Sequence, residues 1–240
     1  MSTPIDLPAT LHGGQAFRWR RSGDEWVGPI GGVMVNLRET PRGIEATGRA
    51  STADIKRYFR VEPADIARRK RLARDPVLSP ALAAHPGLRL LRQDPWEATV
   101  AFLTSANNNV LRIQGIIEKL CARYGDGAVF PSAESLARAR EADLRACGLG
   151  YRAPFLKRTA RMALDLDLMA LRGAPLGEIR EALLPLPGVG PKVADCIALF
   201  SLDADGAFPV DRWVLRAMGD AFFGGEEPKP RDVVAFAGAR

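Results

Sequence analysis

The sequence predicts an α+β fold in which a small N-terminal antiparallel β-sheet precedes a larger α-helical region. Two observations carry this. Between about Gly14 and Gly48 short runs alternate in polarity, as in Ala16-Phe-Arg-Trp-Arg20, Glu25-Trp-Val27 and Val33-Met-Val-Asn-Leu37, and Gly23, Gly28, Gly31, Gly32 and Gly43 punctuate them. A period of two broken by glycine turns is the pattern of short strands joined by hairpins. After Ser51 the apolar spacing becomes helical and stays so to the end of the chain. We therefore read residues 1–90 as a sheet domain with flanking helices and residues 91–240 as a helical domain.

The helices follow in order. Ser51 or Thr52 is placed to cap a helix through Tyr58-Phe59. Asp94-Pro95-Trp96-Glu97 combines a capping carboxylate, a proline at the first helical position and a glutamate at the third, so a helix starts there. It runs through Phe102-Leu103 to a polar break at Asn107-Asn108-Asn109, and a second helix carries Ile113, Ile116, Ile117 and Leu120. Further helices are predicted from Ser132 to Cys147, ending at Gly148, and from Tyr151 to Leu168. Leu176–Leu184, a glycine turn and a helix from Lys192 to Leu202 have the form of a helix–hairpin–helix, and a last clear helix begins near Asp211. The chain has no internal repeats or low-complexity tracts.

Charge and cysteines narrow the class of function. Lys plus Arg number 34 against 28 acidic residues, a net charge of +6, which suits a polyanionic partner without requiring one. Of the local basic runs (Lys56-Arg57, Arg68–Arg71, Lys157-Arg158 with Arg161), Arg68–Arg71 reads as a solvated helix face. Cys121, Cys147 and Cys196 are odd in number and far apart, so they read as reduced thiols of an intracellular protein. Their spacing fits neither a zinc site nor an iron–sulfur cluster, and His12 and His85 add no ligand set. No apolar run reaches membrane-spanning length and no signal-peptide pattern opens the chain, so a soluble, cytoplasmic protein is expected.

The stretch Leu186-Pro-Gly-Val-Gly-Pro-Lys-Val-Ala-Asp-Cys196, followed by Pro209-Val-Asp211, carries the chemistry. Glycines at 188 and 190 around Val189 leave the turn almost free of side chains, so its amide N–H groups can approach a phosphate. A hairpin of this kind grips the DNA backbone without reading sequence, although an αα-corner whose glycines serve packing has the same pattern. Pro191 suits the first helical position, and Lys192 falls in the first turn, where the helix dipole disfavours positive charge and so favours a nucleophilic amine. Asp195, three residues on, is placed to form a salt bridge to Lys192 that would hold the lysine protonated. Cys196, four residues on, shares its helix face. Asp211 is positioned as a helix N-cap, which keeps a carboxylate ionised and oriented; beside a sugar it would stabilise positive charge developing at the anomeric carbon. Amine, carboxylate and phosphate-binding turn together suggest cleavage of an N-glycosidic bond in DNA.

These residues bring the chain close to a known family. It resembles the 8-oxoguanine DNA glycosylase/AP lyases of the helix–hairpin–helix glycosylase superfamily. The likeness runs through Gly14-Gln-Ala-Phe-Arg-Trp19, Leu90-Leu-Arg-Gln-Asp-Pro95, Asn107-Asn-Asn109, Gly148-Leu-Gly-Tyr-Arg152, Leu186–Gly190, Lys192–Cys196 and Pro209-Val-Asp211. The resemblance implies that Lys192 is the Schiff-base lysine and Asp211 the catalytic aspartate. It also implies that the Gly14 carbonyl accepts a hydrogen bond from the N7–H found only on the oxidised base, and that Cys196 walls the base pocket. Asn107 would fill the gap left by the flipped nucleotide, Arg112 and Arg152 would read the orphaned cytosine, and Tyr151 would wedge beside it. The partner implied is double-stranded DNA containing oxidised guanine, bound by a monomer at the nucleoid, or in the nucleus of a eukaryote. No metal or organic cofactor takes part; a cation on the carbonyls of Leu184, Leu186 and Val189 would be structural only.

The chain departs from the family pattern twice. Trp213 stands where animal members carry a histidine that contacts phosphate. After Ala235-Phe-Ala-Gly-Ala-Arg240 there is no counterpart of the helix that supplies a glutamine to the base edge and a ring opposite the cysteine. Two other readings stay open: a monofunctional purine glycosylase, which generally lacks a lysine at this position, and a non-catalytic DNA-binding module. An endonuclease III-like enzyme is disfavoured because its four-cysteine cluster is missing.

Overall fold

A computed structural model describes residues 5–41, 43–126 and 129–238; the ends of both predicted domains, 1–4 and 239–240, lie outside them. In chain order the elements are α1 (Leu7–Leu11), β1 (Arg20–Ser22), β2 (Glu25–Ile30), β3 (Val33–Thr40), β4 (Gly43–Gly48), α2 (Thr52–Tyr58), α3 (Pro63–Leu72) and α4 (Leu78–Ala84). They continue as α5 (Pro95–Ser105), α6 (Val110–Tyr124), α7 (Ala133–Arg138), α8 (Glu141–Leu144), α9 (Ala153–Met162), α10 (Leu176–Leu183), α11 (Pro191–Ser201), α12 (Arg212–Phe222) and α13 (Pro230–Gly238).

The alternating segment forms a four-stranded antiparallel meander in the order β1-β2-β3-β4. Its buried face carries Trp26, Ile30, Val35 and Leu37, which close over α1 and α2 together with Trp19 and Phe59. Gly28 is obligatory there: a Cβ at that position would lie 2.3 Å from the Trp19 ring. The Trp19 indole N–H in turn donates to the Tyr58 hydroxyl at 2.8 Å and fixes α2 against the sheet. A second core, centred on Phe102, Leu103, Ile116, Leu144, Leu156, Leu183 and Ile197, joins α5, α6 and α8 to α11. The buried ion pair Arg18–Glu97, at 2.9 Å, links the segment leading into β1 to the start of α5.

The predicted caps are in place. Asp94 accepts from the Glu97 amide at 2.8 Å, and Ser51 with Asp54 forms a reciprocal capping box on α2. Elsewhere the prediction needs correction. The helix expected from Ser132 to Cys147 is two short helices, because Ala139 is extended (ψ 142°) and lets α7 and α8 both lie against α9. A tight non-helical kink follows, with Gly148 at φ 99° against Ile116. The helix expected to reach Leu168 stops at Met162, and the Asp167 side chain bonds its own downstream backbone at Ala170 instead. Arg68 and Arg69 are not part of a purely solvated face. Arg68 bridges Asp65 and Asp205, and Arg69 donates to the carbonyls of Leu82, His85 and Leu88.

A further helix, α13, follows the one at Asp211, with Val233 buried and Phe236 packed on Phe222 and Phe223. It carries no glutamine, and its one ring is occupied by those two phenylalanines.

Candidate active site

The hairpin is built from successive tight turns: the Leu186 amide donates to the Leu183 carbonyl and the Val189 amide to that of Leu186. Leu183, Leu186 and Val189 are buried and anchor the turn. Thr159 ties it to α9 through the Pro187 carbonyl at 2.9 Å. Gly188 adopts φ +84°, and a Cβ there would sit 3.1 Å from the Phe155 Cβ. Gly188→Ala is therefore expected to destabilise the fold by about 1–2 kcal/mol, read as a lower urea midpoint with unchanged m. Because the Val189 amide is spent on Leu186, that residue does not offer its N–H to a phosphate as the sequence suggested. The Gly188 and Gly190 amides donate to no group among the described residues.

From this turn Pro191 starts α11, and Lys192 emerges half-buried in its first turn. Its Nζ lies 5.7 Å from the centroid of Phe102. Phe102 is the middle of a ring stack, parallel to Phe200 at 5.5 Å and edge-on to Phe17 at 5.7 Å. The lysine side chain thus rests on an aromatic floor in which Phe102 and Phe17 are buried and Phe200 is partly so. Asp195 does not reach the lysine. It is 5% exposed and engages Arg180 in a two-pronged pair at 2.8 and 2.9 Å. Lys192 forms no salt bridge among the described residues.

Cys196 lies one turn beyond, 3% exposed. Burial pushes its thiol up to about 11, opposed by the charge of Lys192 and a hydrogen bond from it, while Asp211 pushes it slightly further up. Cys196 is thus a buried, neutral thiol at neutral pH. The Cys196 thiol feels the charges of both Lys192 and Asp211, which 18 intervening residues separate in the chain. Asp211 caps α12 as predicted, with Oδ1 accepting from the Trp213 and Val214 amides at 2.9 Å each. Oδ2 accepts no hydrogen bond among the described residues.

Gly14 sits in the loop after α1 at φ +79°, with open space where a Cβ would be. The loop is held by buried glutamines. Gln15 donates to the Thr10 and Arg89 carbonyls and accepts from the Leu91 amide, and Gln93 donates to the Gln15 carbonyl at 2.6 Å. Three residues on, Phe17 joins the ring stack under Lys192, which tethers the Gly14 loop to the lysine's platform.

A second cluster gathers Asn107, Tyr151 and Arg152. Asn107 is exposed at φ +48° just past α5. Arg152, 5% exposed, donates to the Ala106, Asn107 and Leu149 carbonyls and lies 4.4 Å from the centroid of Tyr151, itself 52% exposed. In this arrangement the guanidinium caps the end of α5; to read a base it would have to leave these carbonyls. Arg112 stands exposed in the first turn of α6, whose cap is Asn109. Sequence reasoning missed the Phe17–Phe102–Phe200 stack and the Arg180 partner of Asp195. Residues so far apart in the chain carry no local periodic signal.

Residues 100–237, more than half the chain, match the HhH-GPD superfamily of base excision DNA repair proteins. The chain belongs to that superfamily. Residues 1–99 match the N-terminal domain of 8-oxoguanine DNA glycosylase, so the sheet region and the HhH-GPD region are matched in tandem. The chain is 36% identical to an N-glycosylase/DNA lyase of Arabidopsis thaliana over 88% of its own length, and 36% identical to a probable N-glycosylase/DNA lyase of Methanothermobacter thermautotrophicus over 68%. It spans 65% and 61% of these two relatives, less than two thirds of either. Among solved HhH-GPD-like structures it superposes on the 8-oxoguanine glycosylase/lyase of Clostridium acetobutylicum in complex with double-stranded DNA carrying cytosine opposite 8-oxoguanine. There the TM-score is 0.86 and the identity 30%, covering 97% of this chain and 84% of that one. No helix among the described residues is long and apolar enough to cross a membrane.

Proposed function

We propose that this chain is a bifunctional DNA glycosylase that removes 8-oxoguanine opposite cytosine from duplex DNA and cleaves the resulting abasic site. The observation that carries this is that Arg180 holds Asp195 in a two-pronged pair, which leaves Lys192 at the start of the hairpin helix, over the Phe102 ring, without a carboxylate partner among the described residues. A lysine next to a bound sugar, free of a carboxylate partner and resting on apolar rings, can act as a nucleophile once it loses its proton.

Lys192 Nζ bonds to C1′ as the bond from C1′ to the base breaks, and the base leaves with a proton. The free Oδ2 of Asp211 faces the positive charge that builds on the sugar. The amine bound to C1′ becomes an imine as the sugar ring opens. Loss of a C2′ proton then expels the 3′ phosphate, and the strand breaks. Electrons and atoms balance without an oxidant or a cofactor.

The remaining assignments follow from the same reading. The Gly188 and Gly190 amides would bind backbone phosphate, the Gly14 carbonyl would select the N7–H of the oxidised base, and Cys196 would line the base pocket. Asn107, Tyr151, Arg112 and Arg152 would occupy the gap and face the widowed cytosine, offsetting part of the few kcal/mol that flipping costs. We assign the sheet domain to residues 1–90 and the catalytic domain to 91–240, and place a monomer on chromosomal DNA. The test is borohydride trapping on a duplex with one 8-oxoguanine opposite cytosine. A covalent adduct together with strand scission is expected. An adduct on an abasic-site duplex alone would sink the 8-oxoguanine assignment, and no adduct on either would sink the lysine chemistry.

A further inference from the structure

Of the four tryptophans, Trp19 and Trp26 are 1% and 3% exposed, Trp96 is partly buried with its indole N–H on the Pro131 carbonyl, and Trp213 is 76% exposed. An indole left in water contributes little to folding, since burial is what makes aromatic side chains stabilising. No ring or cation covers it among the described residues. Its backbone is firmly held, because the Trp213 amide donates to the Asp211 carboxylate at 2.9 Å. The ring is therefore presented from a fixed point two residues from the sugar-facing carboxylate. Arg212 and Arg216 stand exposed around it on α12 and line the same groove of 610 Å³; Asp220 and Glu227 lie in that groove as well. An anionic strand is drawn to the arginines and repelled by the two carboxylates, so it passes on the Arg212 and Arg216 side.

We propose that Trp213 is a stacking platform: its indole packs face-on against an exposed base of the strand whose neighbouring sugar lies at Lys192 and Asp211, while Arg212 and Arg216 hold the adjacent phosphates. The inference rests on the DNA reading above and adds a positioning residue to it. A ring between arginines suits nucleic acid because every base offers a π-face whatever its sequence.

The experiment is a titration with a duplex carrying a tetrahydrofuran abasic analogue opposite cytosine, followed by tryptophan emission and by anisotropy of labelled DNA. Trp19 and Trp26 are buried and Trp96 is partly so, and quenching that is lost in Trp213→Phe therefore reports on Trp213. Trp213→Ala keeps the backbone amide that orients Asp211 and changes an exposed side chain, so the fold is preserved. We expect wild-type emission to be quenched on binding. Affinity should fall about tenfold in Trp213→Ala and stay within about threefold in Trp213→Phe, which retains a stacking ring. Arg212→Gln and Arg216→Gln should each lower the slope of log affinity against log salt by about one. Unchanged emission with DNA bound, or an alanine variant that binds as tightly as wild type, would overturn the platform. Excision of 8-oxoguanine without quenching removes the platform alone. Quenching without excision leaves the platform standing and removes the activity proposed above.

Discussion

Lys192→Gln is expected to abolish the borohydride-trapped adduct and to lower strand scission by about three orders of magnitude or more. The amide nitrogen of glutamine is not basic, so it cannot form an imine with C1′. Glutamine is close to lysine in size and can lie over the Phe102 ring, without the charge that Lys192 Nζ brings there. The Arg180–Asp195 pair and the Asp211 cap do not involve residue 192 and persist. DNA binding should therefore weaken by less than about tenfold, the share of one positive charge among several. Single-turnover scission with an electrophoretic binding assay separates the two effects. Retained scission by the variant would move the nucleophile elsewhere, and an equal loss of binding and scission would favour the non-catalytic DNA module.

The second large effect lies one helical turn from that lysine. Arg180→Met leaves Asp195, 5% exposed, without its two-pronged partner. Stranding one member of a buried pair costs about 3–5 kcal/mol, and the partial exposure of the Arg180 side chain, 37%, sets the expected value near the lower end. For a chain of this size about 3 kcal/mol corresponds to a fall in Tm of roughly 6–12 °C, read by circular dichroism. The double variant Arg180→Met/Asp195→Leu should recover most of it, because removing both charges leaves nothing unpaired. A functional effect accompanies the structural one. Without Arg180, Asp195 is free to turn to Lys192 at i−3 and hold it protonated. Trapping rates measured below the transition should fall in Arg180→Met and recover in the double variant. A drop in Tm with unchanged trapping would show that Arg180 serves the fold alone.

Much of the site could be read directly from the chain because its parts are local. The cap at Asp94, the cap at Ser51, the glycine turn at 188–190 and the N-cap at Asp211 each depend on residues within three or four positions, and all four are built; the partner of Ser51 in a reciprocal box, Asp54, comes from the structure. The sheet was legible in outline: Glu25–Val27 and Val33–Leu37 lie in β2 and β3 with Gly31-Gly32 turning between them. Ala16–Trp19, however, precedes β1, and Gly28 sits inside β2 against Trp19 and does not mark a turn. Less legible were the end of α9 at Met162, six residues short of Leu168, and the break at Ala139, where packing on α9 outweighs helix propensity. The short helices α3 and α4 bury none of their residues and so have no apolar stripe to betray them.

The sequence by itself determined the order of the elements, the turn that places Lys192 at a helix start, and the cap that orients Asp211. Only the tertiary structure decided which charges meet. Asp195 was within reach of Lys192 along the helix, yet it pairs with Arg180 fifteen residues away. Arg152 was free to be a surface charge, yet it closes the end of α5 forty-six residues back. Phe17, Phe102 and Phe200, spread over nearly the whole chain, come together as the floor beneath the lysine. The physical reason is that backbone hydrogen bonds and caps are satisfied between near neighbours. A buried charge or ring instead takes whichever partner the packed core brings to it, and chain distance sets no limit on that choice.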